Sequence, residues 1–217
     1  MKNPIRIAVL ISGNGSNLQS IIDHQKIHTY EYEIALVISN KVDAFGLTRA
    51  QNAQINTQVI DHTQFDSRSA FDGQLQKELE SAKIDLIVLA GFMRILTPEL
   101  TSHFLGKMIN IHPSLLPKYT GLHTHKRALE AGDKEHGLSI HFVTPELDGG
   151  PVILQAKVDI CDDDTEASLR AKVHVQEHTA YPLAIEWFAQ GKLELKDNQV
   201  LFNQQVLIEP QLLDQTL

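Results

Sequence analysis

Two polar residues stand two positions apart where an apolar, strand-like segment ends. Asn110 and His112 lie in the segment INIHPSLLPKYTGLHTH, which spans residues 109–125. Residues i and i+2 of a strand face the same side, so the amide and the imidazole would share one surface, while Ile109 and Ile111 pack on the other. An amide donor beside a titratable donor suits the stabilisation of an oxyanion. The alternative is a polar strand end that is capped by its own backbone.

Asp148 is a third candidate for chemistry. It lies in the segment ELDGG, where two glycines predict an unusually tight loop. An aspartate in such a loop is by default a turn residue. If the loop brings it close to His112, its carboxylate would favour the imidazolium form of that side chain.

Eleven histidines raise the question of a metal site. His123 and His125 form an H-x-H pair, and His136 and His141 form a second, wider pair. No carboxylate or third histidine stands beside either pair at a recognisable ligand spacing. We therefore expect no metal.

A glycine-rich segment, LISGNGSNLQSII, follows the first strand-like run and opens a helix. Gly13 and Gly15 let backbone N–H groups approach a ligand closely, and Ser16 and Asn17 add donors at the helix N-terminus, a combination that suits a phosphate. The alternative is a glycine turn in which Ser16 or Asn17 caps the helix. A nicotinamide cofactor is disfavoured, because Leu18 occupies the third glycine position of G-x-G-x-x-G and no acid ends the second strand.

Arg68 falls in the first turn of a predicted helix. The helix dipole disfavours a cation there by about 0.3–1 kcal/mol. A bound carboxylate ligand would offset that cost, whereas a solvated surface arginine would need no ligand. Both interpretations stay open on the local sequence.

The elements that must position these residues predict an α/β fold. In the first half, the apolar runs IRIAVLI, YEIALVIS, NTQVID, IDLIVLAG and KMINIH alternate with helix-like stretches. In one such stretch, Phe71, Leu75 and Leu79 recur at i, i+4 and i+8. This alternation predicts a Rossmann-like parallel sheet with helices on both faces. Ligands of such sheets collect beyond the carboxyl ends of the strands, and Asn110 and His112 stand at such an end.

The second half predicts antiparallel strands that extend this sheet. HGLSIHFVT and GPVILQAKVDI are strand-like runs separated by a turn-rich segment. A helix is predicted over about 165–190, and Pro182 should kink or divide it. KLELKDNQVLF predicts a closing hairpin with Asp197 and Asn198 at its turn.

Composition limits the class of protein. With 217 residues and 42% hydrophobic content, we expect a single domain over residues 1–217. The net charge of −8 argues against a nucleic-acid partner. The absence of a long apolar run and of a signal-like start argues against a membrane partner. Cys161 is the only cysteine, which excludes an internal disulfide and favours a cytoplasmic setting.

Four segments together resemble one family. LISGNGSNLQ, VLAGFMRIL, NIHPSLLPKYTGLHTH and SIHFVTPELDGGPVILQ are similar to the phosphoribosylglycinamide formyltransferases, folate-dependent enzymes of purine synthesis. The resemblance runs in register from about residue 5 to Trp187. Other formyltransferases, such as those acting on methionyl-tRNA, share the Asn-His-Asp constellation, but GNGSN resembles the phosphate loop that sets this family apart.

The resemblance implies a formyltransferase fold and a catalytic trio of Asn110, His112 and Asp148. In the implied reaction, the amine of glycinamide ribonucleotide attacks the formyl carbon of 10-formyltetrahydrofolate. Asn110 and protonated His112 would stabilise the resulting oxyanion, and Asp148 would keep His112 charged and help to move protons. The folate is a cosubstrate that leaves deformylated, and no metal is required.

The resemblance also implies two binding sites. Gly15, Ser16 and Asn17 match the loop that binds the ribonucleotide phosphate, and Glu177 matches a glutamate that binds the ribose hydroxyls. Within the single domain we expect a half that binds the ribonucleotide phosphate, about 1–100, and a folate-binding and catalytic half, about 101–217. The residues that match the folate site are Arg68, Met93, Arg94, Ile95, Leu96, Asn110, Thr144, Pro145, Glu146, Leu147 and Asp148.

Two positions depart from the family pattern. Thr120 stands where the family usually has proline, which predicts a less stiff loop, and His174 stands where a relative has glutamine near the ribose. Three other functions stay open: formyl transfer to another acceptor or hydrolysis, a nucleotide-binding module without catalysis, and, least favoured, a nicotinamide oxidoreductase.

Overall fold

The structure is a computed structural model that describes residues 4–27 and 31–213. The chain divides between Asn110 and Ile111 into two compact units. The division falls inside the strand Met108–His112. Asn110 and His112 are consecutive positions on one face of this strand, and each is assigned to a different unit.

The first unit is built on parallel strands. Its strands are β1 (Ile5–Ile11), β2 (Tyr32–Ser39), β3 (Thr57–Val59), β4 (Leu86–Leu89) and the first residues of β5 (Met108–His112). Its helices are α1 (Ser16–Ile27), α2 (Phe45–Asn52), α3 (Arg68–Ser81) and α4 (Pro98–His103). The strands pair in the order β3-β2-β1-β4-β5, and every pairing is parallel. The predicted parallel sheet of the first half is thus confirmed.

Burial explains why these segments form these elements. All four residues of β4 are buried, as are the last five of β1, which is the continuous apolar pattern of parallel strands. Helix α1 buries Leu18, Ile21 and Ile22 along one face. Helix α3 buries Phe71, Leu75 and Leu79, as the i, i+4, i+8 spacing predicts. Ser67 caps α3, so Arg68 does lie in its first turn.

The second unit mixes antiparallel and parallel pairing. Its helices are α5 (Thr124–Glu130) and α6 (Glu166–Ala189), and its strands are β6 (Glu135–Phe142), β7 (Val152–Asp159), β8 (Leu193–Lys196), β9 (Gln199–Phe202), β10 (Gln205–Val206) and β11 (Gln211–Leu212). Strands β6 and β7 pair antiparallel and β11 joins β7 in parallel, while β8, β9 and β10 form an antiparallel sheet of their own. The predicted α/β class with antiparallel strands is confirmed.

Two local predictions have distinct outcomes. Asp197 and Asn198 have φ angles of 50° and 59°, the left-handed pair that a tight two-residue hairpin turn requires, so the hairpin β8–β9 is confirmed. Pro182 does not divide α6, which runs unbroken over 24 residues behind a capping box formed by Thr165 and Ser168. None of the helices in the described ranges is long and apolar enough to cross a membrane.

Candidate active site

The glycine-rich loop after β1 is fixed by contacts from α2. Gly15 has a φ of 73°, and a Cβ atom built on it would lie 2.7 Å from the Cα atom of Gly46. A Cβ atom on Gly46 would in turn lie 2.4 Å from Cδ1 of Ile11. The N–H group of Gly46 donates to the carbonyl of Gly13 over 3.0 Å. Glycine is required at residue 15 by the backbone of Gly46 and is favoured at residue 46 by the buried side chain of Ile11, long-range reasons that the local sequence does not reveal.

Arg49 braces the same loop. Its Nε donates to the carbonyl of Asn14 over 2.9 Å, and its Nη2 donates to Oδ1 of Asn14 over 3.0 Å. Ser16 and Asn17 open α1, whose first turn carries no acidic residue. Because a helix N-terminus presents N–H groups and the positive end of the helix dipole, this loop has the features of an anion site. Arg49 was missed by the sequence reasoning, since no local signal connects it to a loop 35 residues away.

The segment after β4 combines exposed apolar groups with a half-buried cation, Arg94. Met93 and Ile95 are 63% and 57% exposed, whereas Leu96 is buried. The guanidinium of Arg94 lies over the ring of Phe71, with its central carbon 5.9 Å from the ring centroid. Among the described residues, the buried Nε of Arg94 has no hydrogen-bond partner. An exposed apolar edge beside an unsatisfied donor fits an aromatic ligand that carries acceptor atoms.

Arg68 is exposed at the start of α3. The segment 93–96 and Arg68 belong to the same unit, but the described contacts do not join them. The role of Arg68 therefore stays a prediction.

His112 lies at the end of β5, buried to 6% exposure. Its Nε2 donates to the backbone carbonyl of Tyr119 over 2.8 Å, and its Nδ1 lies 3.5 Å from Oδ2 of Asp148. Asn110 is the preceding same-face residue of the strand and is half-buried.

The carbonyl of Tyr119 fixes the tautomer of His112. A carbonyl oxygen can only accept, so the Nε2 atom must carry a proton. The neutral ring therefore has a lone pair at Nδ1, and the cationic ring has a second N–H group there. In the neutral form Nδ1 can take a proton, and in the cationic form it can donate one to an oxyanion or to Asp148.

Asp148 is held by the backbone of the loop that follows β5. Its Oδ2 accepts a hydrogen bond of 2.8 Å from the N–H group of Gly121. Its own backbone has a φ of 51°, and two residues later a Cβ atom on Gly150 would lie 1.8 Å from the carbonyl oxygen of Phe142, so only glycine fits there. The predicted tight loop is confirmed, and it presents the carboxylate to the imidazole of His112.

His141 is the second imidazole beside this carboxylate. Its Nε2 lies 3.9 Å from Oδ1 of Asp148, and its Nδ1 donates to the carbonyl of Phe142 over 2.9 Å. Burial lowers the pKa of His141, so the ring is neutral near pH 7. The sequence reasoning considered His141 only as a metal ligand and missed its place beside Asp148.

The other predicted binding residues of the second unit lie on α6 and on the loop between β6 and β7. Glu177 is buried on α6, with its Oε2 atom 3.8 Å from Nε2 of His174 one turn earlier. In the segment 144–147, Thr144 is half-buried and the three residues after it are exposed, with Leu147 at 54%. This segment leads directly into Asp148.

The histidine pairs are not arranged as metal ligands. His123 is exposed at the N-cap of α5, whereas His125 is buried and its Nδ1 lies 3.0 Å from Nε2 of His136. Burial, followed by the charge of His136, lowers the pKa of His125 to about 4. Within residues 4–27 and 31–213, no cluster of three or more His, Cys, Asp or Glu side chains could hold a metal ion.

Known proteins resemble the chain over almost its whole length. A family model described as Formyl transferase matches residues 5–185. Phosphoribosylglycinamide formyltransferase of Escherichia coli strain K12 is 57% identical over 194 residues, which are 89% of this chain and 92% of that protein. The Haemophilus influenzae protein of the same name is 53% identical over 193 residues, or 89% of this chain and 91% of its own.

A solved structure agrees with these sequence matches. Phosphoribosylglycinamide formyltransferase from Coxiella burnetii, in complex with CHES, superimposes with a TM-score of 0.93 at 51% identity, covering 97% of this chain and 99% of that one. The range matched by the family model contains Asn110, His112 and Asp148.

Proposed function

Because the chain belongs to the formyl transferase family, we propose that it transfers the formyl group of 10-formyltetrahydrofolate to the amine of glycinamide ribonucleotide. The products are formylglycinamide ribonucleotide and tetrahydrofolate, and the reaction is a step of purine biosynthesis. The chain is an enzyme of formyl transfer. The observation that carries the proposal is the buried pair of His112 and Asp148 at the end of β5 in a chain so similar to enzymes of that name.

On the ribonucleotide side, we assign the phosphate to Gly15, Ser16 and Asn17. The loop held by α2 and the helix N-terminus that follows it support this assignment, because they provide preorganised N–H donors and the first turn of α1 carries no acidic residue. Glu177 is assigned to the ribose hydroxyls. The burial of its side chain supports this assignment, because a carboxylate shielded from water makes a stronger hydrogen bond to a hydroxyl, and Nε2 of His174 lies 3.8 Å from its Oε2 atom.

On the folate side, two segments and one cation bind the cosubstrate. The exposed apolar side chains of Met93 and Ile95 and the unsatisfied Nε of Arg94 fit a flat heteroaromatic ring with acceptor atoms. The full set proposed for the folate is Arg68, Met93, Arg94, Ile95, Leu96, Asn110, Thr144, Pro145, Glu146, Leu147 and Asp148. Arg68 is exposed, which suits a carboxylate at the outer end of the ligand.

The trio acts on the charge that develops as the amine attacks the formyl carbon. His112 donates from Nδ1 in its cationic form, and Asn110, on the same strand face, provides an amide donor for the same oxygen. The Oδ2 atom of Asp148 lies 3.5 Å from Nδ1, where it can accept a hydrogen bond from the N–H group of the cationic ring. As the folate nitrogen departs, Asp148 and His112 pass to it the proton that the attacking amine loses. The formyl group passes from one organic substrate to the other, and this transfer requires no metal ion.

The proposed enzyme is one functional domain made of both units. The family match supports this interpretation, because it extends from residue 5 to residue 185 and so includes residues of both units. Its partners are the two small substrates, with neither nucleic acid nor membrane. We place the enzyme in the cytoplasm, where purine biosynthesis consumes these substrates.

The proposal is tested by mixing the purified protein with both substrates and following deformylated folate by absorbance. We expect turnover only when both substrates are present, and loss of turnover in His112→Ala. Omission of the ribonucleotide is the deciding control. Equal deformylation without it would identify a hydrolase, and deformylation with a different amine only would identify another acceptor.

A further inference from the structure

The loop between β5 and α5 provides both backbone contacts to the His112–Asp148 pair. The carbonyl of Tyr119 accepts from Nε2 of His112 over 2.8 Å, and the N–H group of Gly121 donates to Oδ2 of Asp148 over 2.8 Å. These two groups belong to residues only two positions apart. A displacement of this short segment would therefore release the imidazole and the carboxylate together.

The segment has no regular structure of its own to hold it in place. Tyr119 and Gly121 both have left-handed φ angles, of 56° and 77°, and a tyrosine adopts that region only where neighbouring groups hold it there. Tyr119 also borders a surface cavity of about 530 Å³, so its ring is open to solvent on that side.

Asp133 holds this segment from the turn between α5 and β6. Its Oδ2 accepts a hydrogen bond of 2.8 Å from the hydroxyl of Tyr119. Both of its oxygens accept from Nζ of Lys118, at 3.1 and 3.0 Å. The carboxylate of Asp133 thus binds the side chains of two consecutive residues, Lys118 and Tyr119, and the second of them carries the carbonyl that contacts His112. The carboxylate is only 19% exposed, which limits competition from water.

The protonation states agree with this anchoring. Hydrogen bonds from Lys118 and Tyr119 lower the pKa of Asp133, and the bond to Asp133 raises the pKa of Tyr119. The anchor is therefore an ionised carboxylate that faces a neutral phenol and an ammonium group. Arg127 adds a second restraint, donating to the carbonyl of Thr120 over 2.7 Å with its guanidinium 5.1 Å from the centroid of the Tyr119 ring.

We propose that Asp133 is a positioning residue for formyl transfer. By binding the side chains of Lys118 and Tyr119, it holds in place the loop between β5 and α5. The backbone of this loop sets the tautomer of His112 and the position of Asp148. Asp133 contacts neither substrate in this account. The inference rests on the proposed role of His112 and adds a residue and a loop that determine how well His112 performs it.

The test compares steady-state kinetics of Tyr119→Phe, Asp133→Asn and Asp133→Ala. Tyr119→Phe removes only the hydroxyl that binds Asp133, and the backbone carbonyl that contacts His112 is still present but is no longer anchored through this side chain. Because misplacement of reacting groups by about 1 Å costs up to about 100-fold in rate, we expect kcat to fall about tenfold in Tyr119→Phe and Asp133→Ala, with both KM values within about twofold. Asp133→Asn keeps an acceptor for the tyrosine hydroxyl and should lose less.

The matched control is Asp162→Asn. Asp162 also forms an ion pair with a lysine of the second unit, but it is fully exposed and contacts Lys134 instead of the loop. We expect its kcat to equal that of the wild-type enzyme. Each rate is divided by the folded fraction from a thermal melt, so that lost stability is not counted as lost catalysis.

A second measurement does not depend on activity. In ¹⁵N-histidine spectra, with His112 assigned from the spectrum of His112→Gln, we expect the ring-nitrogen signals of His112 to move in Tyr119→Phe and to stay in place in Asp162→Asn. The proposal is overturned if the His112 signals coincide in wild type and Tyr119→Phe, or if kcat per folded enzyme changes by less than about twofold. Failure of the proposed function would differ, because the wild-type enzyme itself would then form no product.

Discussion

The imidazole of His112 is held at both nitrogens by oxygen atoms of different character. The carbonyl of Tyr119 accepts a hydrogen bond from the Nε2–H group, while the carboxylate of Asp148 lies 3.5 Å from Nδ1, a distance at the limit of a hydrogen bond. Nδ1 is thereby left for the reaction in either protonation state. His141 adds a neutral neighbour rather than a competing cation, because its burial lowers its pKa.

Arg68 is the residue whose proposed role can be isolated most cleanly. Arg68→Ala should raise the KM for the folate cosubstrate about two- to fivefold, the effect expected when an exposed ion pair is lost, and leave the KM for the ribonucleotide unchanged. Lys77→Ala is the control, since Lys77 is an exposed cation on the same helix α3. An unchanged folate KM in Arg68→Ala would make Arg68 a solvated surface residue.

At the scale of elements, the candidate site depends on loops that other elements hold from outside. The loop after β1 is set by the close approach of α2 at Gly46 and by Arg49. The loop after β5 is set by Asp133, beyond α5. In both cases a strand end provides the direction of the side chains, and a distant anchor provides the position of the backbone.

The first of these loops allows steric and ligand effects to be separated. Gly15→Ala should raise the ribonucleotide KM on the order of tenfold, because the new methyl group would strain a left-handed backbone and collide with Gly46. A Cβ atom on Gly13 meets no protein atom within 4 Å, so any rise in KM in Gly13→Ala reports contact with the ligand alone. Folate KM should hold in both variants. A fall in folate binding that equals the loss of ribonucleotide binding would show that the phosphate assignment is wrong.

At the scale of the whole molecule, local patterns predicted the elements and long-range contacts did not follow from them. The buried runs of β1 and β4, the apolar face of α3 and the turn at Asp197 and Asn198 were predicted because each depends on residues a few positions apart. The contact of Gly46 with Gly15 joins residues 31 apart in the sequence and leaves no periodic trace. The site residues were therefore predicted from the family resemblance, because residues that are distant in the sequence but close in the fold leave no periodic pattern.

The buried histidines give the folded chain a pH-dependent stability. The pKa of His125 is about 4 in the folded state against 6.5 in the unfolded state, so the unfolded chain binds the extra proton first. The free energy of unfolding therefore has its full contribution from neutral His125 above about pH 6.5. It decreases progressively as the pH falls from 6.5 towards 4. His136 has a pKa lowered in the same direction by burial.

We therefore expect the free energy of unfolding, measured with urea at several pH values, to decrease between pH 6.5 and 4. In His125→Gln the decrease should be smaller, because one titrating group is gone, even if the variant is less stable at pH 7. His123→Gln, which alters an exposed histidine at the start of the same helix, should keep the wild-type slope. An identical slope in His125→Gln would contradict a neutral, buried His125.

The most direct test of the central claim is a double-mutant cycle on kcat with His112→Ala and Asp148→Asn. Loss of a preorganised donor costs about 10²–10³ in kcat, and loss of acid–base help costs about 10²–10⁴, so each single variant should lose about 100-fold or more while binding both substrates. Because the two side chains act on one transition state, we predict that the double variant loses little more than the worse single variant. A double loss equal to the product of the two single losses would contradict the account, since Asp148 would then act independently of His112.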